Sequence, residues 1–152
     1  QSQTRGLFMG GYNPTELTTM NFITMSTLGN TADFGDLTST RRAGAGGGNS
    51  VRAIYAGGER YPSSLAVQTI DFITIATLGN SLEFGDSITG VGRGGSANSP
   101  TRMVYNTGNY NSSPSGLESI QIMTTGGSFD FGDLANGRWG PAGTSNGHGG
   151  LG

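Results

Sequence analysis

The chain has 152 residues with no Cys and no Lys, and its eight Arg against ten acidic residues give a formal net charge of −2. This balance offers no basic stripe for nucleic acid, and the absence of Cys excludes a disulfide framework or a thiolate metal site. Every apolar run is short, so we expect no membrane insertion. The 29 Gly show no Gly-X-Y period, which excludes collagen and favours recurrent tight turns.

The sequence repeats itself three times. Residues 22–36 (FITMSTLGNTADFGD) and 72–86 (FITIATLGNSLEFGD) are identical at ten of fifteen positions, and residues 119–133 (SIQIMTTGGSFDFGD) keep the apolar alternation and the closing Phe-Gly-Asp. A fixed period of this length is typical of repeat architectures. We therefore predict a single repeat domain over the whole chain. Its units cover roughly residues 4–50, 51–100 and 101–152.

Each unit is expected to contain short strands only. The first strand starts at a recurring Arg, the second alternates Ile with small polar residues, and a Gly turn then leads to Phe-Gly-Asp, which should begin a third strand. A stretch of Arg, Gly, Ala and Ser follows, and we predict a strand packed where larger side chains have no room, in preference to a flexible linker. The recurring arginines should bridge neighbouring units through a carboxylate or carbonyl. They are Arg5, Arg52 and Arg102.

The unit resembles the kelch repeat of β-propellers, with residues 42–58 followed by Ile70-Asp71-Phe72 as the best match. Its Phe-Gly-Asp stands where kelch units carry a Trp. The motifs are also similar to Gly-rich repeats in virion structural proteins of tailed phages. The resemblance implies an all-β fold of three propeller blades, too few to close a ring alone, so that a homo-oligomer would complete it. The alternative is a closed three-fold monomer, a β-trefoil or a β-prism.

The same resemblance implies a non-enzymatic structural or receptor-binding component of a phage virion, such as a fibre, tail or decoration protein. Its expected location is the virion or the extracellular space, and its expected partners are copies of itself, other virion proteins and a host-surface glycan or protein. A free-standing carbohydrate-binding lectin is the alternative. A propeller glycoside hydrolase or oxidase is less favoured, because the acids are distributed periodically instead of being gathered in one place.

The loop after each Gly turn varies in length and sequence, which makes it the place to expect binding. Tyr offers flat apolar area together with a hydrogen-bonding group, and it suits sugar faces or a protein partner. The candidate ligand-binding residues are Tyr12, Asn13, Arg60, Tyr61, Tyr110 and Asn111.

Pairs of acids recur three residues apart around each Phe-Gly. Carboxylates flanking a Gly are compatible with Ca²⁺, but a Ca²⁺ loop brings more oxygen ligands than two. We therefore expect these side chains to accept turn N–H groups or to pair with the recurring Arg, and we expect no cofactor, with Ca²⁺ as the alternative. Trp139 is expected to be buried at an interface. The metal candidates are Asp33, Asp36, Glu83, Asp86, Asp130 and Asp133.

Overall fold

The computed structural model describes residues 4–62, 65–109 and 112–145. These residues form β-strands and no helix, so none of their segments is a helix that could cross a membrane. The prediction of an all-β fold is confirmed. In chain order the strands are β1 (Arg5–Met9), β2 (Thr19–Thr24), β3 (Ala32–Asp36), β4 (Ala45–Gly48), β5 (Arg52–Ala56), β6 (Glu59–Arg60), β7 (Leu65–Thr74), β8 (Leu82–Val91), β9 (Ser96–Asn98), β10 (Arg102–Asn106), β11 (Gly116–Gln121) and β12 (Phe129–Asp133).

The strands pair into three antiparallel sheets. The first sheet has the order β1-β2-β3 and the third has the order β9-β10-β11-β12. The second sheet has the order β4-β5-β7-β8, with the short β6 pairing with the start of β7. Within the described residues, none of the three sheets closes on itself.

Corresponding strands pair in corresponding registers. Each strand that starts at a recurring Arg pairs with the Ile-containing strand, and that strand pairs with the Phe-Gly-Asp strand across a bulge. Phe-Gly-Asp ends β3 and β12 and lies inside β8, so the expectation that it begins a strand is wrong. The strand starts earlier because main-chain pairing resumes directly after the turn. The arginine pairs are Arg5 with Thr24, Arg52 with Thr74 and Arg102 with Gln121.

Stretches of small residues form the edge strands β4 and β9. These strands lie against each other, and a Cβ added to Gly47 would lie 2.3 Å from Oδ1 of Asn98, so a larger residue has no room. The predicted close-packed strand is confirmed at β4, whereas in the second unit residues 92–95 form no strand and β9 begins only at Ser96. Residues 138–145 form no strand, yet they lie beside β9, since a Cβ on Gly143 would lie 2.1 Å from the carbonyl oxygen of Ser96.

The sheets are joined where the turn of one lies on the Phe-Gly-Asp strand of the one before. We call the contact between the first and second sheets interface 1, and that between the second and third sheets interface 2. Two main-chain hydrogen bonds recur in each. At interface 1, Gly79 N–H donates to the Phe34 carbonyl (2.8 Å) and Ser81 N–H to the Asp36 carbonyl (2.8 Å); at interface 2, Gly126 N–H donates to the Phe84 carbonyl (2.8 Å) and Ser128 N–H to the Asp86 carbonyl (2.9 Å).

Hydrophobic packing is concentrated at the same two interfaces, so each sheet relies on its neighbour to bury its apolar face. Both clusters place Ile side chains and an aromatic ring of one sheet against a Phe of the sheet before. The interface 1 cluster contains Met20, Phe34, Leu37, Ala53, Tyr55, Ile73 and Ile75. The interface 2 cluster contains Ala45, Ile54, Ala56, Ile70, Phe84, Val91, Met103, Tyr105, Ile120 and Ile122.

A buried carboxylate lies at each interface. Asp71 is 1% exposed and lies 2.6 Å from NH2 of the equally buried Arg41. It also accepts hydrogen bonds from the Thr38 N–H and the Ser81 hydroxyl, each at 2.9 Å. Glu118 occupies the matching place at interface 2, where it accepts two main-chain N–H groups of β8 at 3.0 Å. Each acid therefore connects its own sheet to the residues that come directly after Phe-Gly-Asp in the sheet before.

Two of the recurring arginines also bridge the sheets. NH1 of Arg5 donates to the carbonyl of Ile75 at 2.6 Å, and NH1 of Arg52 donates to the carbonyl of Ile122 at 3.2 Å. Each guanidinium also lies over a Phe ring of its own sheet, 4.9 and 4.3 Å from the ring centre. The prediction that the recurring Arg bridges neighbouring units is confirmed for these two residues, with a carbonyl as the acceptor.

A buried phenol at interface 2 should make the free energy of unfolding decrease at high pH. Burial raises the pKa of Tyr105 to about 12. The Ser87 hydroxyl, 2.8 Å from the phenol oxygen, opposes this rise, and the Glu118 carboxylate adds to it. An unfolded tyrosine ionises near 10.0, so the stabilisation is complete below pH 10. It should be lost as the pH rises toward 12, at about 1.4 kcal/mol per pH unit.

We expect the free energy of unfolding, measured by urea titration, to fall across this pH range and to fall less steeply in Tyr105→Phe. Burial also raises the pKa of Tyr55, so some slope should remain in that variant. Tyr61→Phe removes an exposed phenol and should leave the slope unchanged. An unaltered slope in Tyr105→Phe would contradict the assignment.

Candidate functional site

The loops that follow the Gly turns contribute to one contiguous group of charged and aromatic side chains. In the first two sheets each loop starts at a Gly pair with positive φ angles, +63° and +128° at Gly10 and Gly11 and +66° and +117° at Gly57 and Gly58. This left-handed backbone turns the chain sharply away from the strand, and Gly adopts it at no steric cost. The group, which we call the loop face, consists of Tyr12, Glu16, Arg42, Glu59, Arg93 and Trp139.

Glu59 is the centre of the loop face. Its fully buried carboxylate lies 2.9 Å from Nε of Arg93 and 3.6 Å from Nε of Arg42. Arg42 extends the chain of charges to Glu16, 3.8 Å from its NH1. The main chains of Arg42 and Glu59 also exchange two hydrogen bonds, at 2.7 and 3.2 Å. Glu16 and Glu59 belong to the first two loops, and the two arginines lie on the segments that lead from one sheet into the next. The ion pairs hold these four residues in one fixed arrangement.

Aromatic rings lie on the arginines of this network. The guanidinium carbon of Arg42 is 5.0 Å from the centre of the Tyr12 ring, and that of Arg93 is 5.5 Å from a ring of Trp139. Both distances are within the range of cation–π attraction. Both rings remain about half exposed. Trp139 is thus partly accessible within one chain, where burial at an interface had been expected.

Of the four predicted binding residues that the structure describes, one lies in the loop face. Tyr12 belongs to it, whereas Asn13 lies in an exposed turn closed by its own N–H and the carbonyl of Thr15. Arg60 donates from NH2 to the Ser39 hydroxyl at 2.5 Å, and the Tyr61 ring is exposed. The remaining candidates, Tyr110 and Asn111, lie outside the described residues.

The six metal candidates do not form a metal site. All of them are exposed, and the described residues contain no group of three or more His, Asp or Glu that could hold a metal ion. Asp130 accepts the N–H of Gly132 at 3.3 Å, as expected for a turn acid. Asp36 and Asp133 instead accept from the hydroxyls of Thr18 and Ser115, at 2.8 and 2.7 Å, and each of these hydroxyls lies on the chain that leads into or precedes the neighbouring strand. Asp33 lies on β3, and Glu83 and Asp86 lie on β8.

Arginines hold both carboxylates of the loop face, with Glu16 at 3.8 Å from Arg42 and Glu59 at 2.9 Å from Arg93. Two half-exposed rings backed by positive charge offer flat apolar area with hydrogen-bond donors beside it. That combination suits a sugar ring or a polar protein surface.

Sequence reasoning missed Arg42, Glu59 and Arg93, although a signal was present. Glu59 follows a Gly pair directly, and both arginines lie in stretches otherwise made of small residues. A charged residue in such a stretch has few neighbours in sequence that could pair with it, so its partner must come from another loop. Comparison of the sequence with models of protein families and with curated proteins finds no match.

Proposed function

We propose that this chain is a non-enzymatic structural or receptor-binding component of a tailed-phage virion, displayed on the outside of the particle as part of a fibre, tail or decoration. The motifs around Phe-Gly-Asp, which are similar to those of phage structural proteins, motivate the virion assignment. The binding role is carried by the loop face, where two exposed aromatic rings are fixed on arginines that a buried Glu59 holds in place.

We further propose that the three sheets are kelch-like blades of a propeller. Strands of small residues that pack against each other, β4 and β9, are what a crowded central axis requires. A closed three-fold monomer, such as a trefoil or prism, would cover the outer faces of the first and third sheets. Phe8 and Phe131 on those faces are instead about half exposed, which favours completion of the ring by a homo-oligomer.

The binding role predicts a specific loss on mutation of the loop rings. Tyr12→Ala should weaken binding to a host-surface glycan or to host cells by about tenfold, the value of one aromatic contact of roughly 1.4 kcal/mol. Tyr12→Phe keeps the ring over Arg42 and should retain most of the affinity. Trp139→Ala tests the second ring of the loop face in the same assay, a glycan array followed by titration on whole cells, and Tyr61→Ala tests the exposed ring of the neighbouring loop. Binding that survives Tyr12→Ala and Trp139→Ala together would remove the loop face from the proposal.

A free-standing lectin is the second candidate, because the same rings would serve it. Immunogold labelling of purified phage particles with an antibody against the chain separates the two. Labelled particles support the virion component, and glycan binding without labelled particles supports the lectin. Labelled particles without any glycan or cell binding would restrict the role to structure, and turnover of a glycoside would overturn the non-enzymatic assignment.

A further inference from the structure

The two ends of the molecule carry the two halves of the interface that already occurs twice inside it. The second and third sheets each use one face to contact the sheet before them, and the same face of the first sheet, which we call the head, lies at one end of the molecule. The first and second sheets each use the opposite face to contact the sheet after them, and that face of the third sheet, which we call the tail, lies at the other end. Within the described residues, neither of these end faces has a partner.

The Phe-Gly-Asp strand of the third sheet is the clearest unpartnered half. Phe34 and Phe84 are 2% and 3% exposed at interfaces 1 and 2, whereas Phe131 at the same position is 49% exposed. A Cβ added to Gly132 would meet nothing within 4 Å, while one at Gly35 or Gly85 would lie 2.4 or 2.2 Å from the carbonyl oxygen of the overlying turn. The third sheet therefore has the groove that receives a turn in the other two, and no turn from the described residues lies in it.

The complementary half lies on the first sheet. Phe8 corresponds to Tyr55 and Tyr105, which are 6% and 1% exposed, yet Phe8 is 58% exposed. Met25 corresponds to the buried Ile75 and Ile122 and is also 58% exposed. Apolar side chains exposed together on one face, at positions that are buried elsewhere in the same chain, mark an interaction surface.

The polar contacts are complementary too. Arg5 and Arg52 each donate to a carbonyl of the next sheet, at Ile75 and Ile122, but Arg102 on the third sheet is exposed and has no following sheet to reach. The position equivalent to Ile75 in the first sheet is Met25, whose carbonyl is the acceptor that Arg102 would find on a second copy.

The first sheet also lacks an edge strand. β4 and β9 flank β5 and β10, but no described strand flanks β1 on that edge. A cavity of about 420 Å³ lies there, lined by Leu7, Gly47 and Asn98 among others. Oδ1 of Asn98 is buried and accepts no hydrogen bond from the described residues. A strand entering this cavity would supply the N–H that such a buried acceptor requires.

The segment after β12 repeats the way in which the chain leaves the first two sheets. Arg93 N–H donates to the Ala43 carbonyl as the chain crosses into the third sheet, and Gly140 N–H donates to the Arg93 carbonyl in the same manner. The three residues share a positive φ, +56°, +59° and +68° at Ala43, Arg93 and Gly140. Residues 138–145 therefore begin a crossing like the two before it, from one sheet toward the place of the next.

We propose that two copies of this chain associate head to tail, with the first sheet of each copy packed on the third sheet of the other through the same contacts that form interfaces 1 and 2. Since each copy has one head and one tail, two copies satisfy all four end faces and give a closed ring of six sheets. The inference rests on the homo-oligomer part of the proposed function and names its contact residues. It does not involve the loop face.

The test uses one variant for each end. Met25→Asp places a charge on the head and Phe131→Asp places one on the tail, at side chains that are half exposed in a single copy. By analytical ultracentrifugation we expect the wild-type chain to have twice its 15.6 kDa mass and each variant to be a monomer. A mixture of the two variants should recover dimers, because the intact tail of one fits the intact head of the other. Leu65→Asp, an equally exposed Leu of the second sheet, is the control and should remain dimeric.

A disulfide trap tests the geometry without weakening either end. At interface 1 the N–H of Asp36 lies 3.0 Å from the side chain of Asn80, and the equivalent positions at the ends are Asp133 and Asn30. Because the chain has no Cys, Asn30→Cys combined with Asp133→Cys should form covalent dimers on oxidation, and either change alone should not. A wild-type monomer at all concentrations, or a dimer that survives both aspartate variants, would overturn the proposal. Glycan or cell binding measured on the same variants separates this outcome from a failure of the loop face.

Discussion

Replacing Asp71 with Asn should lower the free energy of unfolding by about 3–5 kcal/mol, the usual cost of removing one member of a buried ion pair. The substitution preserves volume and leaves the buried Arg41 guanidinium without its carboxylate at 2.6 Å. The remaining acceptors of Arg41, the carbonyls of Thr69 and Gly57 at 2.7 and 3.2 Å, carry no net charge. They cannot compensate for desolvation of the cation.

Chemical denaturation of three matched variants isolates this effect. Asp86→Asn makes the same chemical change at an exposed position and should cost less than about 0.5 kcal/mol. Arg41→Met combined with Asp71→Asn removes the stranded charge and should recover part of the stability, since a buried pair is often replaceable by apolar packing. If Asp71→Asn were no more damaging than Asp86→Asn, the buried pair would not be holding interface 1.

The strands could be predicted from the sequence because their signal is local. Alternation of Ile with small polar residues, as in Phe72-Ile-Thr-Ile, fixes both the strand and the face that is buried. Asp71, one residue earlier, gave no such signal. Its importance comes from Arg41, which is distant in sequence, and the pairing of these two residues depends on how neighbouring sheets pack.

The candidate site was predictable only in outline. The argument that variable loops bind ligands led to Tyr12, which the structure places in the loop face, but also to Asn13, which lies in a simple exposed turn. The network around Glu59 depends on ion pairs between different loops. Periodicity within one segment contains no information on such pairs.

The recurring Phe-Gly-Asp motif predicts the positions of the strands but not the burial of its Phe side chain. Phe34, Phe84 and Phe131 are equivalent in sequence, so the sequence predicts equivalent surroundings for them. The structure buries the first two and exposes the third, because burial of each Phe requires the turn of a following sheet. Position in the array, which a local motif does not encode, decides whether the residue is part of the core or part of a surface.

Gly85→Ala should destabilise the chain by about 3 kcal/mol, and Gly132→Ala, the same change in the same Phe-Gly-Asp context, should cost much less. A Cβ at position 85 would lie 2.2 Å from the carbonyl oxygen of Gly126, so the turn must withdraw. Withdrawal strains or breaks the hydrogen bonds to the Phe84 and Asp86 carbonyls. The expected cost combines roughly 1–3 kcal/mol for overpacking with about 1 kcal/mol for each hydrogen bond lost.

Backbone conformation cannot explain the difference between the two variants. Gly85 and Gly132 both have positive φ, +150° and +125°, so both alanines carry conformational strain, and only the first meets another chain segment within one copy. Urea unfolding at a dilution where the chain is monomeric should therefore separate the two variants by about 2 kcal/mol or more. Equal costs would show that strain alone makes these glycines necessary. At higher concentration Gly132→Ala should fold normally yet fail to dimerise. The added Cβ would then clash with the turn of a second copy, as the Cβ in Gly85→Ala clashes with the turn at Gly126 within one copy.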